Sequence, residues 1–208
     1  MSTEEQSIRE RIFFATLSCI ERDGINSMTV RGIAKEAGVN TAAINYYFGT
    51  KARLVDQVLS QTLRDGLFGS LDEFQQIIDS KDGNIRSALD EFLNLFFGQM
   101  VNWPRLAEAQ LHDALTQQNY EGPAIGATNG FLERFLGIVR PILPQRTDAE
   151  QRNAILQLWL PMIFLGMLPR AFEDFGRTEV ENPEWRAGYV QRLLNGLFQD
   201  PQSVSATD

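Results

Sequence analysis

The sequence lacks the residues on which several large classes of protein depend. Its 208 residues include a single cysteine, Cys19, and a single histidine, His112. These counts exclude an intramolecular disulfide framework and a zinc cluster built from cysteines and histidines. A catalytic Ser-His-Asp triad would have to be built on His112. We therefore predict no catalytic residues, no metal site and no cofactor.

Neither a leader peptide nor a membrane-spanning run is expected from the sequence. Residues Met1–Glu10 are polar and carry three glutamates, which is unlike a signal peptide. The longest uncharged run covers 17 residues, Asn153–Pro169, whereas a membrane helix needs about 20 apolar residues. We interpret this run as a buried helix, and we predict a cytoplasmic protein without a membrane partner.

Positive charge is scarce except near the N-terminus. The chain has 19 basic and 27 acidic residues, for a net charge of −8. Within Gly24–Leu54, however, four basic residues accompany one acidic residue. A locally basic segment of an acidic protein is able to bind a polyanion, because only the docking face must be positive. A local excess of this size is also compatible with chance.

Signals for β-hairpins are absent, and helical periodicity extends along the chain. Capping residues, glycines and first-turn prolines predict a first helix that ends at Gly24, followed by helices Val30–Ala37, Thr41–Phe48, Thr50 to about Asp79, Asn84–Asn102, Pro104–Gln118, Pro123–Ile142, Asp148–Phe175 and Pro183–Phe198. Pro161 and Pro169 fall inside the predicted helix Asp148–Phe175, where we expect them to kink it.

The predicted fold class is therefore all-α, with a small N-terminal three-helix unit and a larger C-terminal helical domain. We expect the first domain over residues 1–54, the second over residues 55–199, and a flexible tail over residues 200–208.

The two short helices joined by Gly38-Val39-Asn40 have the dimensions of a helix-turn-helix, whose second helix enters the major groove of DNA. The outward positions of that second helix carry no charge. Asparagine matches the adenine edge, threonine and alanine methyl groups contact thymine, and tyrosine hydroxyls bind phosphates. The alternative is that the aromatic run Tyr46–Phe48 belongs to the core.

The run from Thr29 to Lys51, TVRGIAKEAGVNTAAINYYFGTK, resembles the DNA-binding signature of the tetracycline-repressor (TetR) family. The resemblance covers about residues 8–58. It implies a homodimeric transcription regulator, in most cases a repressor that leaves its double-stranded DNA operator when a small molecule binds the C-terminal domain.

The resemblance also implies roles for individual residues. It places Thr29 at a phosphate-binding cap and Arg31 within reach of the groove. It assigns base-facing positions to Thr41, Ala42 and Asn45, and phosphate contacts to Tyr46, Tyr47 and Lys51. The family usually has tyrosine at the position of Asn45 and often histidine at the position of Tyr47, so the operator sequence of relatives does not transfer to this chain.

Aromatic residues are dense after residue 90, which favours an apolar or aromatic-lined cavity for a small-molecule effector. The predicted lining residues are Phe96, Trp103, His112, Tyr120, Phe131 and Trp159. For the aromatic residues the alternative is packing in the core, and for His112 it is a structural role.

The last two long helices carry more apolar surface than an exposed element of a monomer would. We predict a dimer interface formed by Leu156, Leu160, Ile163, Met167, Tyr189, Leu193 and Leu197. In the TetR family the equivalent helices form a four-helix interface. Two-fold symmetry would then place two recognition helices ~34–36 Å apart on a palindromic operator.

Two other classes of function remain open from the sequence. An all-α enzyme would need converging acid, base or nucleophilic groups, for which the sequence offers few residues. A DNA-bound scaffold that recruits another protein would need no small-molecule effector.

Overall fold

The computed structural model describes residues 3–176 and 179–198, and the predicted tail 200–208 lies outside them. The regular elements within these ranges are helices, which confirms the all-α prediction. They are α1 (Thr3–Asp23), α2 (Val30–Ala37), α3 (Thr41–Phe48), α4 (Lys51–Ser80), α5 (Ile85–Asn102), α6 (Pro104–Gln117), α7 (Pro123–Val139), α8 (Asp148–Met167), α9 (Glu173–Gly176) and α10 (Pro183–Phe198).

Local capping explains why α2 and α3 begin and end where the sequence predicts. The Thr29 hydroxyl accepts a hydrogen bond from the Gly32 N–H at 3.0 Å, and the Asn40 side chain accepts one from the Ala43 N–H at 2.8 Å. Both caps satisfy N–H groups that the first helical turn leaves unpaired. Gly38 ends α2 at φ +61°, a left-handed conformation that glycine adopts without a Cβ clash.

Two predicted helices are too long because of prolines near their ends. The prediction that Asp148–Phe175 forms one helix with Pro169 inside it is wrong: α8 ends at Met167, and Leu168 leaves the helical region at φ −127°, ψ 59°. A residue that precedes proline is disfavoured in the helical conformation. Likewise α7 stops at Val139, and Arg140–Ile142 form a 3-10 turn around Pro141. Pro161 lies inside α8 as predicted.

The chain forms two compact units. The first unit comprises residues up to Gly66 together with Trp103–Ala127, and the second comprises Leu67–Asn102 and the residues from Thr128 onward. Helices α1, α2, α3 and α6 therefore belong to the first unit. Its core is formed by small and medium apolar side chains, including Ile12, Ile20, Met28, Ile33, Ile44, Leu54 and Val58.

The second unit has an aromatic core between the C-terminal part of α4 and helices α5, α7, α8 and α10. Phe74 stacks on Phe92 with ring centroids 4.6 Å apart, and Phe135 stacks on both. Helices α5 and α8 approach closely because α8 carries Gly166 at the contact. A Cβ at Gly166 would lie 2.8 Å from the Met100 Cβ, which is too close for any other residue without a shift.

Membrane crossing requires a longer apolar helix than any found in residues 3–176 and 179–198.

Candidate nucleic-acid interface

Helices α2 and α3 are fixed against each other by apolar side chains. Ile33, Ala34 and Ala37 of α2 are buried, as are Ile44 and Phe48 of α3. The small alanines allow the two helix backbones to approach closely. The outer face of α3 is thereby held in a fixed orientation within the first unit.

That outer face is exposed and polar without being charged. Thr41, Ala42 and Asn45 are exposed, and the Tyr46 side chain is 77% exposed. Tyr47 is half-buried and packs against the core, with its ring edge-on to Tyr46 at a centroid distance of 4.9 Å. The two adjacent tyrosines therefore occupy different environments: Tyr47 packs against the core of the first unit, whereas the Tyr46 side chain is largely exposed.

The remaining predicted contact residues flank α3. Thr29 and Arg31 are exposed at the start of α2, and Lys51 is half-buried at the first position of α4. The Thr50 hydroxyl caps α4 by accepting a hydrogen bond from the Arg53 N–H at 3.2 Å. All eight predicted DNA-binding residues lie in the first unit, on or beside the two helices of the motif.

Sequence reasoning missed Arg11, which connects α1 to the turn of the motif. Its guanidinium donates to the Ala37 carbonyl, at 3.0 Å from Nε and 2.6 Å from Nη2, and to the Gly38 carbonyl at 2.8 Å. These carbonyls end α2 and carry the partial negative charge of a helix C-terminus. Nothing local in the sequence signals the contact, because 26 residues separate donor and acceptor.

A second charged link joins the end of α1 to α2. Arg22 donates to Glu36 at 2.8 Å and to Asp23 at 2.9 Å, and the hydrogen bond from Arg22 lowers the pKa of Asp23. These groups are largely exposed, so the link contributes little to stability. Beside them Cys19 is buried, and this burial raises the pKa of its thiol, as for an inert core cysteine.

Helix α6 is attached to the same end of α1. The Glu21 carboxylate accepts a hydrogen bond from the Leu106 N–H at 3.0 Å, and Arg105 donates to the Arg22 carbonyl at 2.7 Å. Glu21 thus occupies the position of an N-terminal cap although it comes from another helix. Sequence patterns cannot signal this contact either, since Leu106 lies 85 positions after Glu21 in the sequence.

The comparison with known families matches this geometry. Residues 12–58, which contain α2 and α3, match the sequence profile of the bacterial regulatory proteins of the tetR family. This segment of the chain is therefore similar to the DNA-binding segment of the TetR family.

The relatives that share this segment are transcriptional regulators by name. The HTH-type transcriptional regulator BetI of Vibrio campbellii is 44% identical over 50 residues, which are 24% of this chain and 25% of that protein. The nicotine-responsive transcriptional repressor HdnoR of Paenarthrobacter nicotinovorans is 29% identical over 94 residues, 45% of this chain and 46% of that protein. The chain therefore aligns with a quarter to a half of the length of these relatives.

Structural similarity extends over nearly the whole chain. The crystal structure of a transcriptional regulator from Rhodococcus sp. Rha1 superposes with a TM-score of 0.61 at 19% identity, covering 93% of this chain and 99% of that one. At this identity the similarity supports the fold, including an all-α C-terminal domain.

The residues predicted to line an effector site are divided between the two units. In the second unit Trp159 packs edge-on against Phe96 and Phe131, at centroid distances of 4.6 and 5.0 Å. Phe131 and Trp159 are buried in the core, and the Trp159 indole N–H has no hydrogen-bond partner among the described residues. In the first unit Trp103 and Tyr120 are exposed and His112 is half-buried.

The residues predicted for a dimer interface lie mostly on an exposed face of the second unit. Leu156 and Leu160 of α8 are 39% and 57% exposed, and Ile163 and Met167 are half-buried, as are Tyr189 and Leu193 of α10. Leu197 differs, because its side chain is 5% exposed and packs in the core of its own chain. Phe164 and Leu168 extend the exposed face at four-residue spacing and were missed.

Proposed function

We propose that the chain is a homodimeric DNA-binding transcriptional regulator, a repressor that a small molecule releases from a palindromic operator. The observation that supports it most directly is the exposed outer face of α3, held by two capped helices in a segment that matches the TetR profile. The proposed DNA-binding domain covers residues 1–54, and the effector and dimerisation domain covers residues 55–199.

On the proposed interface, base reading and phosphate binding fall to different residues. Thr41, Ala42 and Asn45 present methyl and amide groups from the first two turns of α3, which suits base edges in the major groove. Tyr46 and Lys51 follow with a hydroxyl and an ammonium group, which suit phosphates. Thr29 and Arg31 supply further contacts from the start of α2.

The exposed face of α8 supports the homodimer. Leu156, Leu160, Phe164 and Leu168 recur every four residues and are each more than a third exposed. A continuous apolar face of this kind marks an interaction surface. A second copy of the same face would bury it around a two-fold axis.

Control by a small molecule rests on analogy with a relative. HdnoR is named as a nicotine-responsive repressor, and its match extends beyond the DNA-binding segment of this chain. We infer an effector that is apolar or aromatic over most of its surface.

The test of the proposal is selection of duplexes from a random-sequence pool by the full-length protein. We expect enrichment of a palindrome whose half-sites lie about one helical turn apart. Enrichment of a single half-site would contradict the homodimer, and no enrichment at low salt would contradict DNA binding altogether.

Asn45→Ala is expected to weaken binding to the selected operator by ~1–3 kcal/mol per base pair read, while binding to random DNA changes little. The amide is the group on α3 that pairs a donor with an acceptor as the adenine edge requires. Titration against the operator, and against operators changed one base pair at a time, measures the effect. Asn26→Ala, an exposed asparagine outside the motif, is the control.

Equal weakening on operator and random DNA, or no weakening, would show that Asn45 does not read a base. Arg31 is then the next candidate.

Lys51→Ala and Tyr46→Phe are expected to weaken binding about equally on all sequences, because phosphate contacts carry no sequence information. Loss of the Lys51 charge should also reduce the slope of log affinity against log salt by about one per subunit. Fluorescence anisotropy over a salt series measures both effects. Lys81→Ala removes the same charge from the second unit and should leave the slope unchanged. A changed sequence preference in either variant would contradict the phosphate assignment.

A further inference from the structure

The first unit contains a partly open cavity of about 560 Å³. It lies between the N-terminal half of α4, helix α6 and the start of α7. Its apolar lining includes Val55, Leu59 and Leu63 of α4, Ala109 and Ala114 of α6, and Ile125 of α7. The volume falls within the ~300–1,000 Å³ typical of small-molecule sites.

This cavity shares no residue with the aromatic set predicted from the sequence. Its apolar lining consists of small and aliphatic residues, so an aromatic count along the chain does not detect it. It is also built from the unit that carries α2 and α3. A ligand bound here would therefore lie beside the proposed DNA interface.

Two charged residues line the cavity, Lys51 and Asp56. Lys51 is half-buried and forms no ion pair with any other described residue, whereas Asp56 is exposed. A counter-charge stabilises a partly desolvated, unpaired ammonium group such as that of Lys51 more than it stabilises a water-exposed carboxylate such as that of Asp56. The cavity therefore favours a ligand with a negative head group, while Ser60 and Gln110 supply neutral polar groups.

We propose that this cavity is the effector site and that it takes a small amphipathic acid, with the carboxylate on Lys51 and the apolar body between α4 and α6. The inference rests on the proposed function and deepens it. Lys51 is also the proposed phosphate contact, so one ammonium group serves either the bound acid or the DNA backbone. The acid and DNA consequently compete.

The contacts of α6 give the bound acid a second route to the DNA-binding helices. Ala109 and Gln110 line the cavity one turn beyond Leu106, whose N–H is bonded to Glu21 of α1. Helix α1 in turn holds the end of α2 through Arg11. A displacement of α6 by the ligand would therefore reach the motif through hydrogen bonds within one unit.

The test is calorimetric titration of the full-length protein with three ten-carbon probes: decanoate, decanol and decyltrimethylammonium. We expect decanoate to bind roughly tenfold more tightly than decanol, because its carboxylate forms one charge-assisted contact that the hydroxyl of decanol does not form. The cationic probe should bind no more tightly than decanol. Tighter binding of the cation, equal binding of all three probes, or no binding of decanoate would overturn the proposal.

Variants locate the site. Lys51→Met should remove the preference for decanoate over decanol, whereas Lys35→Met, an exposed lysine of α2 outside the cavity, should preserve it. Ala114→Phe should weaken the binding of both decanoate and decanol because its side chain fills the cavity. Thr116→Phe, on the exposed side of α6, should leave their binding unchanged. Circular dichroism checks that each variant is folded. Decanoate binding that is unaffected by both Lys51→Met and Ala114→Phe would place the acid elsewhere and overturn the proposal.

A second measurement separates this inference from the proposed function. Decanoate should displace a fluorescent duplex of the selected operator from the wild type at concentrations that saturate the calorimetric site. If the protein binds the duplex and decanoate neither binds nor displaces it, the effector site is wrong while the regulator stands. If decanoate binds and no duplex does, the proposed function fails while the acid site stands.

Discussion

Leu160→Arg is expected to leave the chain monomeric at micromolar concentrations, where the wild type should sediment as a dimer. Leu160 is 57% exposed on the apolar face of α8. In a two-fold interface the same face meets itself, so an arginine at this position brings two like charges together in a surface depleted of water. Like charges juxtaposed in an interface weaken association by several kcal/mol. This cost exceeds the contribution of one leucine contact to the free energy of dimerisation.

Sedimentation equilibrium measures the effect, and Leu95→Arg is the matched control. Leu95 is 43% exposed on α5 and belongs to the same unit, but it lies outside the exposed face of α8. We expect Leu95→Arg to remain dimeric. A wild type that is monomeric at micromolar concentrations, or dissociation by both substitutions alike, would contradict the assignment of this face to the dimer.

The loss of the dimer should appear in DNA binding as well. A dimer that binds two linked half-sites has an affinity about 10²–10⁴ times that of a monomer on one half-site. Leu160→Arg should therefore weaken binding to the palindrome by that order while binding to an isolated half-site is unchanged.

Arg11→Met is expected to destabilise the first unit by about 1.5–3 kcal/mol, the range for hydrogen bonds to a charged group. The substitution leaves the carbonyls of Ala37 and Gly38 without their charged donor at the end of α2. Arg11→Lys should recover part of the loss, since an ammonium lacks the planar fork that reaches two carbonyls. Arg31→Met, an exposed arginine of α2, should leave stability unchanged.

Urea denaturation measures the free energy of unfolding of each variant, and hydrogen exchange locates the change. We expect a lower midpoint with an unchanged slope and faster exchange of the amides in α2. An unaltered midpoint together with unaltered exchange in α2 would show that the Arg11 contact is not formed in solution.

The helix-turn-helix could be predicted from the sequence because its determinants are local. Thr29 and Asn40 cap helices within three residues of themselves, and Gly38 ends α2 through its own backbone conformation. Capping signals that act within a few residues are recognisable in a single sequence. The bounds of α2 and α3 follow from them without knowledge of the tertiary structure.

Other features depend on partners that are remote in the sequence. The acceptors of Arg11 lie 26 and 27 residues away from it, and the donor to Glu21 lies 85 residues away. The predicted end of α8 is wrong for a different reason, since Pro169 was expected to kink the helix whereas the helix ends before it, at Met167. The density of aromatic residues also cannot distinguish a packed core from a ligand cavity, because aromatic side chains are common in both. Phe131 and Trp159 are buried in the core.

The uncharged surface of α3 bears on how such a protein would search a chromosome. Helix α3, TAAINYYF, contains no charged residue, and the segment Gly24–Leu54 that contains it carries only four basic residues, beside one acidic residue. Attraction to arbitrary duplex comes almost entirely from phosphate neutralisation, which on the proposed interface falls to a few flanking residues such as Arg31 and Lys51 and not to α3 itself. Fewer copies would then be sequestered on the millions of competing sites that a genome presents. A small number of molecules per cell would suffice to occupy one operator, at the expense of slower sliding along the DNA to reach it.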